Sequence, residues 1–315
     1  GEPCTVVDHG DATYTMTCPD GSEVTWEGVP NGHHVAWVAV SYDGTVITSS
    51  DGVTWTARDP GTSVPLFGVA TDGDVWVAVG VGGTILRSPD GITWSAQTSG
   101  TAETLTDVDS DGAQWVAVGT SGTVLTSPDG FTWTLRTAGL TGGEWLMCVA
   151  GDGTRWVAGG YGGTLLTSSD GIDWSTPTSG PLEDEYYYGV DGDGALWAAA
   201  AFNPDEGPDA VIRTSTDGIT WSAAASGLPR QLYGMATDGD TWVAVGNGVI
   251  LASADGSIWT TVTVPPVHLE AVAGNGSRWV AVGGNGTILA STDGMTWSRS
   301  SHPGTELFQD VAVQG

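Results

Sequence analysis

Seven copies of one short motif run through this 315-residue chain. Each copy reads Ser-x-Asp-Gly-x-x-Trp, and the tryptophans that end successive copies lie 38 to 47 residues apart. These tryptophans are Trp55, Trp94, Trp133, Trp174, Trp221, Trp259 and Trp297. A fixed period near forty residues with a turn signal in each unit is typical of propellers and solenoids. The repeat therefore restricts the fold more than any other feature of the sequence.

Residues 66–98 show how one unit is built. LFGVAT predicts a strand, Asp72-Gly73 a tight hairpin turn, and VWVAVG a second strand. A Gly-Gly turn leads into TILRS, and the PDG turn of the motif leads into ITWSAQ. Four antiparallel strands in each unit are typical of a propeller blade. The sequence therefore predicts an all-β fold, a seven-bladed β-propeller of four-stranded antiparallel blades over residues 29–315.

The end of the chain repeats the start of a unit. LFQDVAVQG at 307–315 matches LFGVATDG at 66–73, whereas no such strand stands directly before Trp37. We therefore expect the C-terminal strand to complete the first blade and close the ring, which hides both sheet edges.

A second tryptophan opens the second strand of every unit. Because tryptophan buries a large rigid surface, we expect these side chains and the motif tryptophans to pack between blades. The second-strand tryptophans are Trp37, Trp76, Trp115, Trp156, Trp197, Trp242 and Trp279.

The motif aspartates have a structural explanation. An Asp carboxylate accepts backbone N–H groups across a turn, Ser does so more weakly, Gly permits the tight bend, and Trp anchors the turn on the sheet. We expect the seven to be structural rather than catalytic: Asp51, Asp90, Asp129, Asp170, Asp217, Asp255 and Asp293. The turns resemble Asp-box (BNR-type) repeats, although the usual box has one residue between Asp and Gly. From about residue 33 to the C-terminus the repeats are similar to propellers of the photosystem II assembly-factor type and of bacterial surface proteins.

The charge of the chain is strongly negative. There are 37 acidic residues against 8 basic ones, all of them arginine, for a formal charge of −29. Nucleic acid is disfavoured as a partner because phosphate binding needs clustered cations, and anionic membrane surfaces are disfavoured for the same reason. No apolar stretch is long enough for a transmembrane helix.

The first 28 residues predict a separate element. Cys4 and Cys18 flank an alternating segment with a central turn, so we expect a β-hairpin stapled by a disulfide, which favours an oxidising, extracellular or cell-surface location. Cys148 lies in an apolar run and is expected to be a small buried residue. The opening Gly1-Glu2-Pro3 fits the last triplet of an upstream collagen-like stalk, and fits a cloning boundary equally well.

Departures from the repeat are the best candidates for a binding site, because irregular loops on a rigid frame carry function. The connection 181–189 and the loop 201–210 both depart from it and are expected on the same face. Their candidate ligand-binding residues are Glu183, Asp184, Glu185, Tyr186, Tyr187, Asp205, Glu206 and Asp209. Carboxylates and aromatic rings suit a Ca²⁺-bridged glycan or a basic peptide; the alternative is a solvated acidic loop.

The central channel is a second candidate. Small residues alternate along one face of each first strand, so that face is expected to point at the axis. Four aspartates then enter the channel, where they would hold a cation or ordered water, or stay hydrated and unoccupied: Asp107, Asp109, Asp191 and Asp310.

The sequence favours a non-catalytic secreted or cell-surface propeller that acts as a binding, adhesion or structural module toward a protein or glycan. Ca²⁺ is the one cofactor that the carboxylates suggest. One alternative is a glycan-active hydrolase, although the arginine triad of a sialidase is not evident among the scattered arginines. The other is an assembly-factor-like protein-binding propeller, although that family's basic patch has no obvious equivalent here.

Overall fold

The computed structural model describes residues 5–8, 13–17, 22–27, 35–137, 144–177, 185–203, 210–228, 230–302 and 304–314. Seven antiparallel sheets form the blades, which we number 1 to 7 from Trp37 along the chain. A separate three-stranded sheet near the N-terminus consists of Thr5–Asp8, Thr13–Thr17 and Glu23–Glu27. No helix in the described part of the chain is long and apolar enough to cross a membrane.

Each blade runs outward from an inner first strand. For blades 1 to 7 the first strands are Phe308–Val313, Leu66–Thr71, Leu105–Ser110, Leu146–Gly151, Tyr186–Gly192, Leu232–Thr237 and Leu269–Gly274. The second strands are Trp37–Ser41, Trp76–Gly80, Trp115–Gly119, Trp156–Gly160, Trp197–Phe202, Trp242–Gly246 and Trp279–Gly283. The third strands are Val46–Ser49, Thr84–Ser88, Thr123–Ser127, Leu165–Ser168, Ala210–Ser215, Val249–Ser253 and Thr287–Ser291.

The outer strands are short. They are Thr56–Arg58, Ser95–Gln97, Thr134–Thr137, Ser222–Leu228, Thr260–Val262 and Ser298–Arg299, in blades 1, 2, 3, 5, 6 and 7. In the described part of blade 4 the same place is marked by one bridge between Thr167 and Ser175. Two 3₁₀ turns, Val81–Gly83 and Thr120–Gly122, follow the second strands of blades 2 and 3.

The C-terminal strand closes the ring, as the sequence predicts. Phe308 pairs with Ser41 and Val313 with Trp37, so the end of the chain forms the first strand of blade 1. The first strands then contact one another in a complete cycle, in which blade 1 touches both blade 2 and blade 7. The seven-bladed architecture is therefore confirmed.

The hydrophobic core is divided among the blade interfaces. Seven clusters of buried side chains are found, and each one lies between two neighbouring blades. Every cluster includes the second-strand tryptophan and the motif tryptophan of the same blade, such as Trp115 and Trp133 between blades 2 and 3. Second strands are buried on both faces because each is covered by a blade on either side. The prediction that these fourteen tryptophans pack between blades is confirmed.

The motif turn is held by its aspartate. In blade 5, Asp217 Oδ1 accepts the N–H groups of Ile219 at 2.8 Å and Thr220 at 2.7 Å, and the Ser215 hydroxyl donates to the same oxygen. All seven motifs repeat this pattern, with N–H to Oδ1 distances of 2.7–3.0 Å. The backbone bond from Thr220, and then that from Ile219, lower the pKa of Asp217 to about 2. In all seven motifs the aspartate thus holds the turn through backbone N–H groups.

The motif glycine also belongs to a blade interface. Gly171 of blade 4 has φ of +65°, and a Cβ atom there would lie 2.8 Å from Val116 Cγ2 of blade 3. Glycine is therefore required both for the left-handed backbone and for the approach of the neighbouring blade.

The N-terminal element differs from its prediction. Three strands are present rather than the two of a hairpin, and Glu23–Glu27 pairs with Thr13–Thr17. The first two strands pair in the register Thr5 to Thr17. Cys4 and Cys18 lie outside the described residues, so the disulfide and the 1–28 boundary stay predictions.

Deleting residues 306–315 tests the ring closure. Because this removes the first strand of blade 1 and the fully buried Phe308, it exposes two sheet edges. We expect aggregation or the loss of a cooperative thermal transition, measured by calorimetry and light scattering.

Adding a synthetic peptide of residues 306–315 to the truncated chain supplies the control. The peptide should restore the cooperative transition, whereas a peptide with Phe308→Asp should not. A truncated chain that melts like the intact one would show that the ring does not depend on this strand.

Candidate functional site

The strand order gives the propeller two different faces. We call one the Asp face: it carries the Ser-x-Asp-Gly turns and the turns between first and second strands. The opposite face carries the turns between second and third strands and the connections between blades, and we call it the funnel face. Both irregular segments singled out in the sequence, 181–189 and 201–210, join strand ends on the funnel face.

A β-bulge interrupts every first strand near the funnel face. The pairing with the second strand skips one residue in all seven blades, as between Leu66 and Gly68 in blade 2. A bulge re-aims the extra side chain away from the regular alternation of the strand. The seven residues skipped, which we call the bulge ring, all line one cavity around the axis: Gln309, Phe67, Thr106, Met147, Tyr188, Tyr233 and Glu270.

This cavity forms a funnel of about 360 Å³ at the mouth of the central channel. Trp145 lies on its rim with 47% of its surface exposed. Cys148, Asp107 and Asp310 also line it. A second cavity, of about 270 Å³, opens on the Asp face and shares Asp107 and Asp310 with the funnel, so the two are the ends of one channel. A concave, mostly apolar site with a few polar groups is the usual form of a ligand pocket.

Aromatic side chains extend from the funnel as a continuous arc over blades 4 to 7. Tyr188 stacks on Phe202 with ring centroids 5.7 Å apart and meets Tyr233 edge-on at 5.6 Å. Tyr161 stacks with Trp145 at 5.9 Å. The aromatic arc consists of Trp145, Tyr161, Tyr186, Tyr188, Phe202, Tyr233 and His268. Most of these rings are half-buried, so their remaining surface is open to a partner.

A buried ion pair lies beneath the arc. The Arg213 guanidinium donates to both carboxylate oxygens of Glu185, at 2.8 and 2.6 Å, and the Tyr187 hydroxyl donates to the same carboxylate at 2.5 Å. Glu185 and Tyr187 have no exposed surface. Arg213 pairs with Ala199 of the second strand. In the other six blades the third-strand residue at the position equivalent to Arg213 is leucine or isoleucine. Blade 5 therefore replaces a core aliphatic residue with an ion pair, directly beside the tyrosines of its first strand.

The predicted ligand-binding residues differ in where the structure places them. Tyr186 is half-buried in the aromatic arc. The sequence places Glu185 and Tyr187 in a surface loop, whereas in the structure both are buried because they bond to Arg213 and to each other. The remaining five lie outside the described residues and stay predictions: Glu183, Asp184, Asp205, Glu206 and Asp209.

The channel aspartates bond to backbone. Asp109 Oδ2 accepts the N–H of Gly151 at 2.8 Å, which links the first strand of blade 3 to that of blade 4. Asp107, Asp191 and Asp310 make the same kind of link to Val149, Thr237 and Val69. Within the described residues, no group of three or more His, Cys, Asp or Glu side chains is placed to hold a metal ion. Each carboxylate thus ties two blades together, and a cation in the channel stays a prediction.

Burial shifts the titration of these carboxyls. It raises the pKa of Asp109, Asp191 and Asp310 to about 7, against the opposing effect of their backbone hydrogen bonds. Burial, and then the negative charge of Asp310, hold the pKa of Asp107 well above its usual range. Burial likewise raises the pKa of the Cys148 thiol, which is free and 4% exposed, so the prediction that Cys148 is buried is confirmed.

The bulge ring was not among the sequence candidates, yet the repeats contain a signal for it. When the seven first strands are aligned, this position holds Phe, Thr, Met, Tyr, Tyr, Glu and Gln, whereas its neighbours are apolar or small in nearly every blade. A strict alternation of side chains along the strand hides this position, because it places the following residue, such as Gly68 in blade 2, on the face that points at the axis. The bulge brings both residues to the channel.

No family model matches the chain, and no curated protein matches it. Solved structures share the fold. A chain from the crystal structure of a nidogen–laminin complex superposes with a TM-score of 0.57 at 11% identity, over 89% of this chain and 98% of that one. YCF48 bound to D1 peptide gives 0.59 at 15% identity, over 85% and 93%. YCF48 from Cyanidioschyzon merolae gives 0.59 at 17% identity, over 86% and 90%. At these identities the likeness establishes the propeller fold alone.

Arg213→Leu tests the buried ion pair. The substitution leaves the Glu185 carboxylate buried without its cation, so we expect a loss of about 3–5 kcal/mol of unfolding free energy. Chemical denaturation monitored by tryptophan fluorescence measures it.

The matched variant replaces Arg213 and Tyr187 with Leu and Glu185 with Val, the residues found at these positions in blade 2. A well-packed apolar set of similar volume is often as stable as a buried ion pair, so most of the loss should be recovered. If the single variant is as stable as the wild type, or the triple variant no more stable than the single one, Arg213 does not stabilise the fold by neutralising the buried Glu185.

Proposed function

We propose that this chain is a non-catalytic binding propeller, outside the cell or at its surface, which takes a segment of a partner protein in the funnel. The aromatic arc is the observation that carries the proposal. It gathers exposed and half-buried rings on the rim of a concave site, and tryptophan and tyrosine are the residues in which interface binding energy concentrates. Their rigid side chains also lose little conformational entropy on binding.

The division between the two faces supports the same site. The Asp face repeats one turn design around the ring, which suits a scaffold. The funnel face varies from blade to blade: the bulge ring carries six residue types among its seven positions. Binding residues are expected where a rigid frame presents variable side chains.

The fold neighbours support a polypeptide as the partner. One of the similar structures is part of a complex with laminin, and another, YCF48, is bound to D1 peptide. The likeness is one of shape, so it supports a polypeptide partner but does not say which residues of that partner this chain recognises. We also infer that the repeats are of the Asp-box type, which the hydrogen bonds of the seven motif turns support. The extracellular location rests on the predicted Cys4–Cys18 disulfide.

Selection from a random peptide display library on the immobilised full chain tests the proposal. Enriched peptides should bind the wild type and lose about tenfold or more of their affinity for a Trp145→Ala, Tyr233→Ala variant, because truncating a central aromatic anchor costs about 2 kcal/mol or more. Isothermal titration calorimetry measures the affinities.

The matched control truncates exposed apolar residues of the Asp face, Phe131→Ala and Met295→Ala, which are 61% and 46% exposed. This variant should bind like the wild type. Peptides that bind the funnel variant unchanged would place the site elsewhere. A glycan array and an assay for released sugars on the same protein form the remaining arms, since binding to sugars alone, or hydrolysis, would contradict a peptide-binding role.

A further inference from the structure

The carboxyl groups are the acidic lining of the funnel. Among the described residues they are Glu270 on the wall and Asp107 and Asp310 on the floor, and no arginine lines the cavity. The chain contains no lysine at all. The funnel therefore has an acidic lining within a chain of formal charge −29.

Two carboxylates share the floor. Asp107 and Asp310 belong to blades 3 and 1, on either side of blade 2, where the equivalent residue is Gly68. A Cβ atom on Gly68 would lie 3.1 Å from Asp107 Oδ1, and Asp310 Oδ2 accepts the N–H of Val69 at 2.8 Å. Both carboxylates thus border the backbone of the same strand, and Gly68 lets the first strand of blade 3 approach closely, since a Cβ atom there would lie 2.8 Å from Asp107 Cα.

The backbone bonds do not exhaust these two groups. Asp107 accepts one N–H on each oxygen, from Val108 and Val149, and Asp310 accepts one on each from Val311 and Val69. When ionised, each carboxylate has about four acceptor sites and so retains capacity for further donors, and a cation beside it favours that ionised form. Two such acceptors suit the several N–H donors of an ammonium or guanidinium group, which is always a donor and never an acceptor.

The wall between rim and floor suits the rest of a basic side chain. Phe67, Tyr188 and Tyr233 line the cavity above the carboxylates, and Trp145 stands at its rim. Lysine and arginine carry an alkyl stem that packs on apolar surface, and their cationic heads are attracted to aromatic ring faces. The order of chemistry from rim to floor, aromatic and then anionic, matches the order along such a side chain, apolar stem and then charged head.

We propose that the funnel binds a lysine or arginine side chain of the partner polypeptide, with its stem against the aromatic wall and its charged head at Asp107 and Asp310. This deepens the proposed function by naming the chemistry of the residue that enters the site. Glu270 and the acidic lining attract the cation on approach, and the carboxylate pair holds it. The Asp-face end of the channel also reaches Asp107 and Asp310 but has no aromatic lining among the described residues, so a basic side chain that entered there would lack the stem contacts.

Methionine methyl groups provide a direct measurement. The chain has four methionines: Met147 lines the funnel alone, Met235 lines both ends of the channel, Met295 lies 46% exposed on the Asp face, and Met16 belongs to the N-terminal sheet. The full-length protein, labelled with ¹³C at the methionine methyls, is titrated with N-acetyl-lysine methylamide and with N-acetyl-arginine methylamide. The neutral probe N-acetyl-norleucine methylamide has the length of lysine without its charge.

We expect one or both cationic probes to shift the Met147 and Met235 signals and leave Met295 unchanged. Norleucine should bind about tenfold or more weakly, since it keeps the stem contacts and loses the charge-assisted hydrogen bonds. Asp107→Asn combined with Asp310→Asn should weaken the cationic probes about tenfold. The matched control, Asp109→Asn combined with Asp191→Asn, removes equivalent links between blades at the other end of the channel and should change the affinity less than twofold.

Equal binding of norleucine and the cationic probes to the wild type would overturn the proposal without requiring any variant to fold. Shifts confined to Met295, or equal loss in the two aspartate variants, would overturn it as well. The outcome is separable from the proposed function. Peptides that need Trp145 and Tyr233 but carry no basic residue would leave the peptide site standing and refute the cation. If the cationic probes shift Met147 and Met235 while no peptide depends on the aromatic arc, the cation site stands and the peptide site is refuted.

Discussion

One interaction recurs in the turns of the Asp face and in the channel: an aspartate carboxylate accepts two backbone N–H groups. It holds the seven motif turns, and it holds the turns between first and second strands through Asp72, Asp111, Asp152, Asp193 and Asp238. Asn275 does the same in blade 7. A third version, in the channel, links the first strands of neighbouring blades. Short four-stranded sheets with small turns leave many N–H groups without a strand partner, and these carboxylates satisfy them.

The large negative charge then follows from the architecture. Many of the aspartates are acceptors inside turns, so they need not form a surface that recognises a cation or a basic partner. This separates the two faces of the ring. The Asp face is fixed by a turn that each blade must repeat, whereas the funnel face has only to connect strands. Blade 5 uses that freedom most: it carries a buried ion pair in place of a core leucine and contributes Tyr186, Tyr188 and Phe202 to the aromatic arc.

The sequence predicts the frame well because the frame repeats. Seven motifs, seven second-strand tryptophans and a displaced C-terminal strand indicate the same ring, and the hydrogen bonds of the motif turn follow from the chemistry of Ser, Asp and Gly. The site is harder to predict. Period-two alternation cannot reveal a bulge, so it puts Phe67, Met147 and Tyr233 on the face of their strands that points away from the axis. The sequence alone places Glu185 in an acidic loop because its partner, Arg213, lies 28 residues later and is opposite it only after blade 5 has folded.

Aspartate thus has the same task, accepting backbone N–H groups, in two environments: exposed turns and a buried channel. Following the carboxyl carbons of the aspartates by ¹³C NMR from pH 2 to 8 tests it most directly. We expect Asp217 and Asp293 to titrate with a pKa of about 2, because backbone N–H bonds favour the charged form, and Asp109, Asp191 and Asp310 with a pKa of about 7, because burial disfavours it. The turn aspartates then stabilise the fold at neutral pH and lose that contribution as the pH falls from about 4 to 2, whereas the channel aspartates lower the stability as the pH rises from about 4 to 7. Titration of all five near the ordinary value of about 3.9 would contradict the claim.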